Sequence, residues 1–439
     1  MNRSNVHLLD LPDEILLMIL KKLNNIDVLY SLLDVNNGRL NILAQENTFT
    51  NILKFPRRYT YSLIDRFCID ILPRIHHNVK CFIFHPFCMK RILLATDYPN
   101  LTELKIFHFK QGITLDYLTN VSSLRSSFQE QITNLTLIND DKDEMIHSLE
   151  NYTTNDKLFN LKCFSLKSFF QFKQYDKILS LVRRMSNLEK LTLYLPIKGR
   201  NRVIDGTYVQ HDILDYMPQL HSFIFYICTY VETVDLFYKL SNEDIQQTLT
   251  NIGQQHVTSI VNYIHSHRAA CSIFSLPFQF DYLKNLGNKF PNIIFSYVTY
   301  LLVQDTDPFE HEFFMRIARS FPLLKHLRIF NVESQVLDGL ITFSSDNCQL
   351  HSIIEYPHLT ILDVQYAHRD YVEQFLNETN TFIPCLAEFE VSVNHLKAVT
   401  KDFTREETQR NCAKVKRIFP LGSLVYSKKF FLYFPSLYK

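Results

Sequence analysis

Tryptophan is absent from this 439-residue sequence, and glycine is scarce, with only eight residues spread along the whole chain. Loops that bind phosphate groups need clustered glycines, because the backbone must approach the anion closely. No two of these glycines lie close together. The sequence therefore disfavours the common classes of nucleotide-binding enzyme.

Excess charge and long apolar runs are also missing. A formal net charge of +1 provides no basic excess to neutralise phosphates, so nucleic-acid binding is not expected. No run reads as membrane-spanning, and Asp10, Asp13 and Glu14 interrupt the region where a signal peptide would be apolar. We expect no membrane partner.

Cysteine and histidine patterns give no sign of a disulfide framework or a metal site. The nine cysteines are odd in number, scattered and never spaced as CxxC, which favours a reducing, cytoplasmic or nuclear location. His265 and His267 are too close for a helical zinc pair, and the sequence around His311 lacks a second histidine ligand. We expect no metal and no cofactor.

The segment LPDEILLMILKKL, residues 11–23, has apolar side chains on nearly every side of a predicted helix. Ile15, Ile19 and Leu23 form one row, and Leu16 and Leu20 form another. A surface helix normally has one apolar stripe, and this segment is too short to cross a bilayer. A second surface must therefore cover part of it.

Three short helices are predicted at the N-terminus, at 12–23, 27–35 and 39–44. Pro12 suits the first turn of a helix, and Asp27 is a suitable cap for the second. About 35 residues fall below the size at which a domain is usually stable without a metal, disulfide or partner. The segment contains no cysteine, so a partner is predicted.

The motifs LPDEILLMILKKL at 11–23, DVL at 27–29 and LLDVN at 32–36 together resemble an F-box. In that family the motif binds the Skp adaptor of cullin–RING ubiquitin ligases. The resemblance implies an adaptor-binding surface formed by Leu11, Pro12, Ile15, Leu16, Ile19, Leu20, Val28 and Leu32. Two features depart from the family pattern: the third helix has no tryptophan, and Gly38 is inserted before Arg39.

An apolar residue recurs at i, i+3 and i+5 beyond residue 78, as in the strand of a leucine-rich repeat. Predicted strands begin at Val79, Leu101, Ile132, Leu161, Leu188, Leu220, Ile273, Leu324, Leu359 and Leu386. Several have a proline two residues before this leading position, as in YPNLTELKI and FPLLKHLRI, where proline ends a helix and starts an extended segment. Helical patterns precede several strands, and the leading residues are mostly 22 to 35 apart.

These patterns predict an α/β fold: a three-helix F-box followed by an irregular leucine-rich-repeat horseshoe, with parallel strands inside and helices outside. An unrelated α/β fold stays open as an alternative. The interval after Leu220 is too long for one repeat, and we expect a hidden repeat around HVTSIVNYI and a polar helical insertion near 242–255. Thr404 and Glu407 form a capping box for a helix to about Arg417. The predicted domains are the F-box at 1–45, a helical connector at 46–78, the divergent repeats at 79–403 and a C-terminal cap at 404–439.

The resemblance implies a non-catalytic substrate-recognition subunit of an SCF-type E3 ubiquitin ligase. The F-box would bind a Skp-type adaptor, and through it the cullin–RING ligase, while the repeats bind an unknown protein target. Strand alternation places the second, fourth and sixth residues after each leading position on one face, where an aromatic column is predicted to contact the target: Phe107, Tyr194, Tyr226 and Phe330. The alternatives are an adaptor-independent leucine-rich-repeat scaffold and, with no supporting motif, an enzyme.

Overall fold

The computed structural model describes residues 8–33, 35, 37–55, 59–108, 131–139, 160–173, 175–235, 241–250, 252, 256–265, 267–335 and 353–438. The chain divides into two compact units. The first comprises Met1–Ile197 and Tyr208–Ile227, and the second comprises Lys198–Thr207 and Cys228–Lys439. Both contain parallel strands and short helices, which confirms the predicted α/β class.

The first unit begins with three short helices in the predicted places: α1 (Asp13–Leu20), α2 (Asn25–Leu32) and α3 (Gly38–Ala44). A 3-10 turn at Leu8–Asp10 precedes them. The predicted cap of the second helix was wrong. Asn24 caps α2, because its side chain accepts a hydrogen bond from the N–H of Ile26 at 2.9 Å.

The connector after this bundle is helical except for one strand that the sequence pattern missed. Its helices are α4 (Asn47–Thr50), α5 (Tyr61–Arg66) and α6 (Leu72–Ile75), with a π-helical turn at Phe67–Ile71 and a 3-10 turn at His76–Asn78. Strand β1 (Ile52–Lys54) pairs in parallel with the next strand. It is only three residues long, which is too short for the i, i+3, i+5 pattern to detect.

The sheet of the first unit, here called the first sheet, follows chain order, with parallel pairing from β1 to β6. Its other strands are β2 (Cys81–Phe84), β3 (Glu103–Phe107), β4 (Asn134–Asn139), β5 (Cys163–Ser168), β6 (Lys190–Ile197) and β7 (Ser222–Glu232), the last of which continues into the second unit. The intervening helices are α7 (Pro86–Leu93), α8 (Tyr175–Val182) and α9 (Gly206–Asp212), followed by a 3-10 turn at Leu214–Tyr216.

The second unit contains an antiparallel hairpin and a six-stranded parallel sheet, here called the second sheet. The hairpin joins β8 (Val257–His265) to β9 (Arg268–Ser275). In order, the second sheet comprises β10 (Tyr282–Leu286), β11 (Tyr300–Gln304), β12 (His326–Phe330), β14 (Ile361–Val364), β16 (Glu388–Ser392) and β17 (Arg417–Leu421). Two short strands, β13 (Ile354–Glu355) and β15 (Thr381–Phe382), form a separate parallel pair.

Short helices separate most of these strands. They are α10 (Asn242–Thr248), α11 (His311–Ser320), α12 (Arg369–Leu376), α13 (Val393–Thr400), α14 (Gln409–Cys412) and α15 (Lys428–Tyr433). Single 3-10 turns lie at Thr233–Asp235, Glu406–Thr408 and Pro435–Tyr438. None of the helices in the described ranges combines the length and apolar content needed to cross a membrane.

Nine of the ten predicted strand starts precede or begin strands of the two parallel sheets, and the tenth was wrong. Ile273 lies in β9, whose partner β8 contains the HVTSIVNYI segment, and the two strands are antiparallel. Apolar alternation is the same in both strand directions, so the pattern could not reveal a hairpin. The polar insertion is helical as predicted over Asn242–Thr248; Gly253, Gln254 and Gln255 lie outside the described residues.

The C-terminal segment differs from the predicted cap. The helix expected to reach about Arg417 is limited to a 3-10 turn and the four-residue α14. Arg417–Leu421 instead forms β17, which pairs in parallel with β16. Pro420 lies within this strand, which is at the edge of its sheet, where proline is tolerated.

Phenylalanine supplies much of the bulk in the core of the second unit, in a chain that has no tryptophan. The rings of Phe295 and Phe321 stack at 4.6 Å, and those of Phe309 and Phe313 at 4.2 Å. All four rings are buried. Aromatic pairs of this geometry stabilise a core beyond the area that they bury, which fixes the helices behind the second sheet.

Candidate functional site

Helix α1 has an inner apolar face that belongs to the core of the bundle. Leu16 packs with Leu40 and Leu43, while Leu20 packs with Val28 and Phe49 in a second cluster. Leu16 and Leu20 are only 1% and 8% exposed. The inner face is thus fully used by the chain's own folding.

The outer face of α1 is apolar as well, and it lies in water. The exposed fractions are 42% for Ile15, 64% for Met18, 43% for Ile19 and 53% for Leu23. Spacings of three and four residues place Ile15, Met18 and Ile19 on one side of the helix, and Leu23 lies three residues after its last residue, Leu20. We call these four residues the outer face; an exposed apolar cluster of this kind is a candidate surface for contact with another protein.

The predicted adaptor-binding residues separate into three groups. Pro12, Ile15 and Ile19 are exposed, and Leu11 and Leu32 are half-buried. The prediction for the other three residues must be corrected, because they are buried inside the bundle and support the helices without facing a partner: Leu16, Leu20 and Val28. Sequence reasoning left Met18 and Leu23 out of the adaptor-binding surface, although it placed Leu23 in one row with Ile15 and Ile19, and Met18 is the neighbour of Ile19.

Arg39 fixes the entry into α1. Its Nε lies 2.6 Å from Oδ1 of Asp13, and its two terminal nitrogens donate to the carbonyls of Leu9 at 2.8 Å and Leu11 at 2.6 Å. Guanidinium has several donors in one rigid plane, so a single side chain holds the chain on both sides of Pro12. This contact sets the direction of α1, and the sequence analysis did not identify it.

Helices α2 and α3 are tied to the rest of the first unit by polar contacts. The Asn25 side-chain amide donates to the carbonyl of Ile52 at 2.9 Å. The guanidinium of Arg74 donates to the Leu33 carbonyl at 3.1 Å and to Oδ1 of Asn41 at 2.7 Å. The bundle is therefore anchored through α2 and α3, while α1 keeps its outer face in solvent.

The predicted aromatic column is interrupted in the first sheet, and two of its three members there are buried. Phe107, Ile138, Lys167 and Tyr194 occupy neighbouring register positions on β3 to β6. Tyr226 stacks on Tyr194 with ring centroids 4.6 Å apart. Tyr194 and Tyr226 are only 3% and 1% exposed, so the structure contradicts their prediction as contact residues, whereas Phe107 stays half-exposed.

The middle of the same face of the first sheet carries small neutral side chains. Thr136, Ser165 and Thr192 are register partners on β4, β5 and β6. Beside them, Lys105 forms a partly exposed ion pair with Glu103 at 2.8 Å. Large apolar area and charge are the features that anchor a partner most strongly. Small hydroxyl side chains offer little of the first and none of the second.

The corresponding face of the second sheet is charged and aromatic. Nε of Arg328 lies 3.0 Å from Oδ2 of Asp363, whose burial raises the pKa of its carboxyl group. Burial, assisted by the nearby Arg328, lowers the pKa of Lys284 to about 8. Phe330, the fourth predicted aromatic contact, is half-exposed. Its ring centroid lies 5.9 Å from that of Tyr366, which is 46% exposed. Lys284 was missed because its strand was not predicted.

No protein-family model matches this chain, and no curated protein matches it either. Within the described part of the chain, no three histidine, cysteine or acidic side chains are arranged to hold a metal ion. The outer face of α1 and the charged face of the second sheet are thus the two surfaces from which a function can be argued.

Proposed function

We propose that this chain is a substrate-recognition subunit of an SCF-type E3 ubiquitin ligase. Its N-terminal helices form an F-box that binds a Skp-type adaptor, and its strands form a divergent leucine-rich-repeat horseshoe that binds a target protein. The chain itself performs no covalent chemistry. It raises the effective concentration of the target near the ubiquitin carrier that the cullin–RING ligase brings.

The observation that carries this proposal is the outer face of α1. Met18 and Leu23 are more than half exposed, although the opposite side of the same helix is packed in the bundle. Each Å² of apolar surface left in water forgoes about 25 cal/mol of stabilisation. An amphipathic helix that presents such side chains is suited to insertion into an apolar groove of a partner.

The arrangement of strands supports the repeat part of the proposal. From β2 to β7, successive strands begin 22, 31, 29, 27 and 32 residues apart. From β2 to β6, neighbouring strands in chain order pair in parallel. A supersecondary unit of roughly 20 to 30 residues repeated in this way is typical of leucine-rich repeats, and the observed intervals lie in that range or just above it. The residues at the second, fourth and sixth positions of each repeat then share one face.

Co-expression of the full chain with a Skp-type adaptor tests the proposal. We expect the adaptor to co-purify with the wild type and to be lost with Ile19→Asp, because a carboxylate on the outer face cannot enter an apolar groove. Ile294→Asp is the matched control, since Ile294 is 65% exposed and lies in the second unit. It should retain the adaptor.

Thermal unfolding of each purified variant shows whether it is folded. A folded wild type that recovers no adaptor contradicts the proposal and favours an adaptor-independent repeat scaffold. Equal recovery with Ile19→Asp and Ile294→Asp also contradicts it, because the outer face of α1 would then play no part in binding.

A further inference from the structure

One row of side chains crosses the half-exposed face of the second sheet from β10 to β17. Five of its members are consecutive register partners on neighbouring strands. Lys284 begins the row on β10, where it follows Leu283, the register partner of Leu301. We call this the central row: Lys284, Leu302, Arg328, Asp363, Glu390 and Phe419. Nζ of Lys284 lies 5.1 Å from the ring centroid of Tyr282, which places its side chain on the same face.

The charges of the central row are ordered. Lys284 and Arg328 are basic and lie on β10 and β12, whereas Asp363 and Glu390 are acidic and lie on β14 and β16. The Arg328–Asp363 ion pair joins the two halves at the centre. The outer charges, Lys284 and Glu390, therefore give the row a positive end and a negative end.

Each end contains like charges that an opposite charge from a partner would stabilise. Arg328 and burial both lower the pKa of Lys284, so an added carboxylate would favour its charged form. At the other end Asp363 and Glu390 are direct register partners, and a hydrogen bond between their side chains acts against the rise that burial causes in the pKa of Asp363. Two neighbouring carboxyl groups at this end would attract a basic side chain.

Aromatic and apolar side chains border the row. Tyr282 and Tyr300 stack with ring centroids 4.4 Å apart, and His326 meets Tyr300 edge-on at 4.6 Å. Tyr366 and Phe419 are 46% and 42% exposed. Aromatic side chains that are held rigid by their neighbours supply contact area with little loss of conformational entropy, and they are enriched among interface hot spots.

We propose that the target segment lies across the central row, with an acidic side chain toward Lys284 and a basic side chain toward Glu390. This inference rests on the proposed receptor function and specifies the chemistry of its target. Neighbouring strands lie roughly 4.8 Å apart, so the four strand spacings from Lys284 to Glu390 cover about 19 Å. An extended peptide covers that distance in roughly six residues, which sets the separation of the two charges.

Capped synthetic nonapeptides of alternating alanine and tyrosine test this charge pattern on the full chain. Each carries two charged residues six positions apart: one glutamate and one lysine, two glutamates, or two lysines. Fluorescence anisotropy with a common fluorescein label measures binding. We expect the mixed-charge peptide to bind the wild type about fivefold more tightly than either of the others.

Charge reversal at each end distinguishes recognition from a structural role. Lys284→Glu should switch the preference to the peptide with two lysines, and Glu390→Lys should switch it to the peptide with two glutamates. Lys190→Glu is the control, because Lys190 is an exposed lysine on the first sheet. It should leave the preference unchanged.

Three results would overturn the inference: no binding of any of the peptides to the wild type, an unchanged preference in folded Lys284→Glu, or a switch caused by Lys190→Glu. Adaptor co-purification, measured on the same variants, separates this test from that of the proposed function. Retained adaptor binding without a peptide preference contradicts the central row alone. A peptide preference that follows the two reversals without any adaptor binding supports the central row and contradicts the ligase role.

Discussion

The outer face of α1 and the central row of the second sheet, the two surfaces for which we propose protein partners, differ in their chemistry. The first exposes aliphatic and thioether side chains around Met18, which is 64% exposed. The second orders charges around the largely buried Asp363 and surrounds them with aromatic rings. Burial of apolar area supplies affinity, while complementary charges mainly supply specificity. The contrast suits a constant partner for α1 and a selected partner for the sheet.

The two sheets provide a second contrast within the same pattern of parallel strands. The first sheet carries Thr136, Ser165 and Thr192 in the middle of its face, and its stacked Tyr194 and Tyr226 are buried. The second sheet carries charges and half-exposed aromatic residues in the equivalent rows. Strand order therefore does not decide which face binds a partner; the side chains at the alternating positions decide it.

The largest predicted effect separates the two faces of α1. Leu16→Asp places a carboxylate among Leu40 and Leu43, so we expect the free energy of unfolding to fall by about 4 kcal/mol. Ile19→Asp leaves its carboxylate in water and should lower it by less than about 1 kcal/mol. Urea unfolding followed by circular dichroism measures both. Equal losses would contradict the assignment of an inner and an outer face.

The next effect compares the ion pairs of the two sheets. Asp363→Ala removes the acceptor of Arg328 and of the backbone N–H of Gln365, which lies 3.1 Å away, and should cost about 3 kcal/mol of stability. Glu103→Ala breaks the partly exposed pair with Lys105 and should cost about 0.5 kcal/mol or less. The same unfolding measurement applies. A larger loss for Glu103→Ala would reverse the comparison.

A smaller effect depends on pH and tests the positive end of the central row. The pKa of Lys284 is lowered from 10.5 to about 8 in the folded chain. Between these values the unfolded chain binds a proton that the folded chain has lost, so the destabilising effect of Lys284 on the wild type decreases as pH rises. Below about pH 8 the lysine is charged in both states, and the full cost of burying its charge lowers the stability of the folded chain.

Lys284→Met removes this titration and provides the reference. The variant should be more stable than the wild type at pH 7, and the difference should narrow by about 2 kcal/mol between pH 8 and pH 10.5. Other groups titrate alike in both proteins, so their contributions largely cancel in the stability difference. A stability difference that does not change with pH would show that Lys284 is not held in the environment described here.

The smallest effect is the response of the two surfaces to salt. Raising NaCl from 50 to 500 mM should weaken binding of the mixed-charge peptide about threefold, because salt screens partly exposed charges. Adaptor binding through the apolar outer face of α1 should change by less than about 1.5-fold over the same range. Titrating each ligand at both salt concentrations gives the ratio of its two dissociation constants. Equal salt dependence would remove the distinction between the two surfaces.

Regular apolar spacing predicted nine strands of the two sheets, but it did not find every strand: Val298, Leu301 and Val303 fit the pattern at β11, which was not predicted. Leu188 and Leu324 precede strands β6 and β12 as expected, because a parallel strand buries alternate residues. Strand β10 was missed because the pattern fails there: counted from Phe280, the residue at i+5 is the polar Asn285. The pairing direction at Ile273 could not be predicted, since it depends on a partner that a local pattern does not contain.

The candidate surfaces were predicted in part for the same physical reason. Helical periodicity separates the rows of Ile15 and Leu16, and the two rows do differ in burial. Periodicity cannot say which row faces the bundle, so Leu16 was grouped with the contact residues. Likewise, strand alternation placed Tyr226 and Phe330 in equivalent positions, but their burial depends on packing within each unit, which no local pattern records.

Hydrogen exchange on the full chain, with and without a purified Skp-type adaptor, tests the central claim most directly. If α1 is the adaptor-binding element, the adaptor should slow amide exchange in peptides covering 12–23 about tenfold or more. Exchange in β12 and β16, which carry Arg328 and Glu390, should stay unchanged. Adaptor binding with no slowing in 12–23, or with slowing confined to the second sheet, would contradict the account.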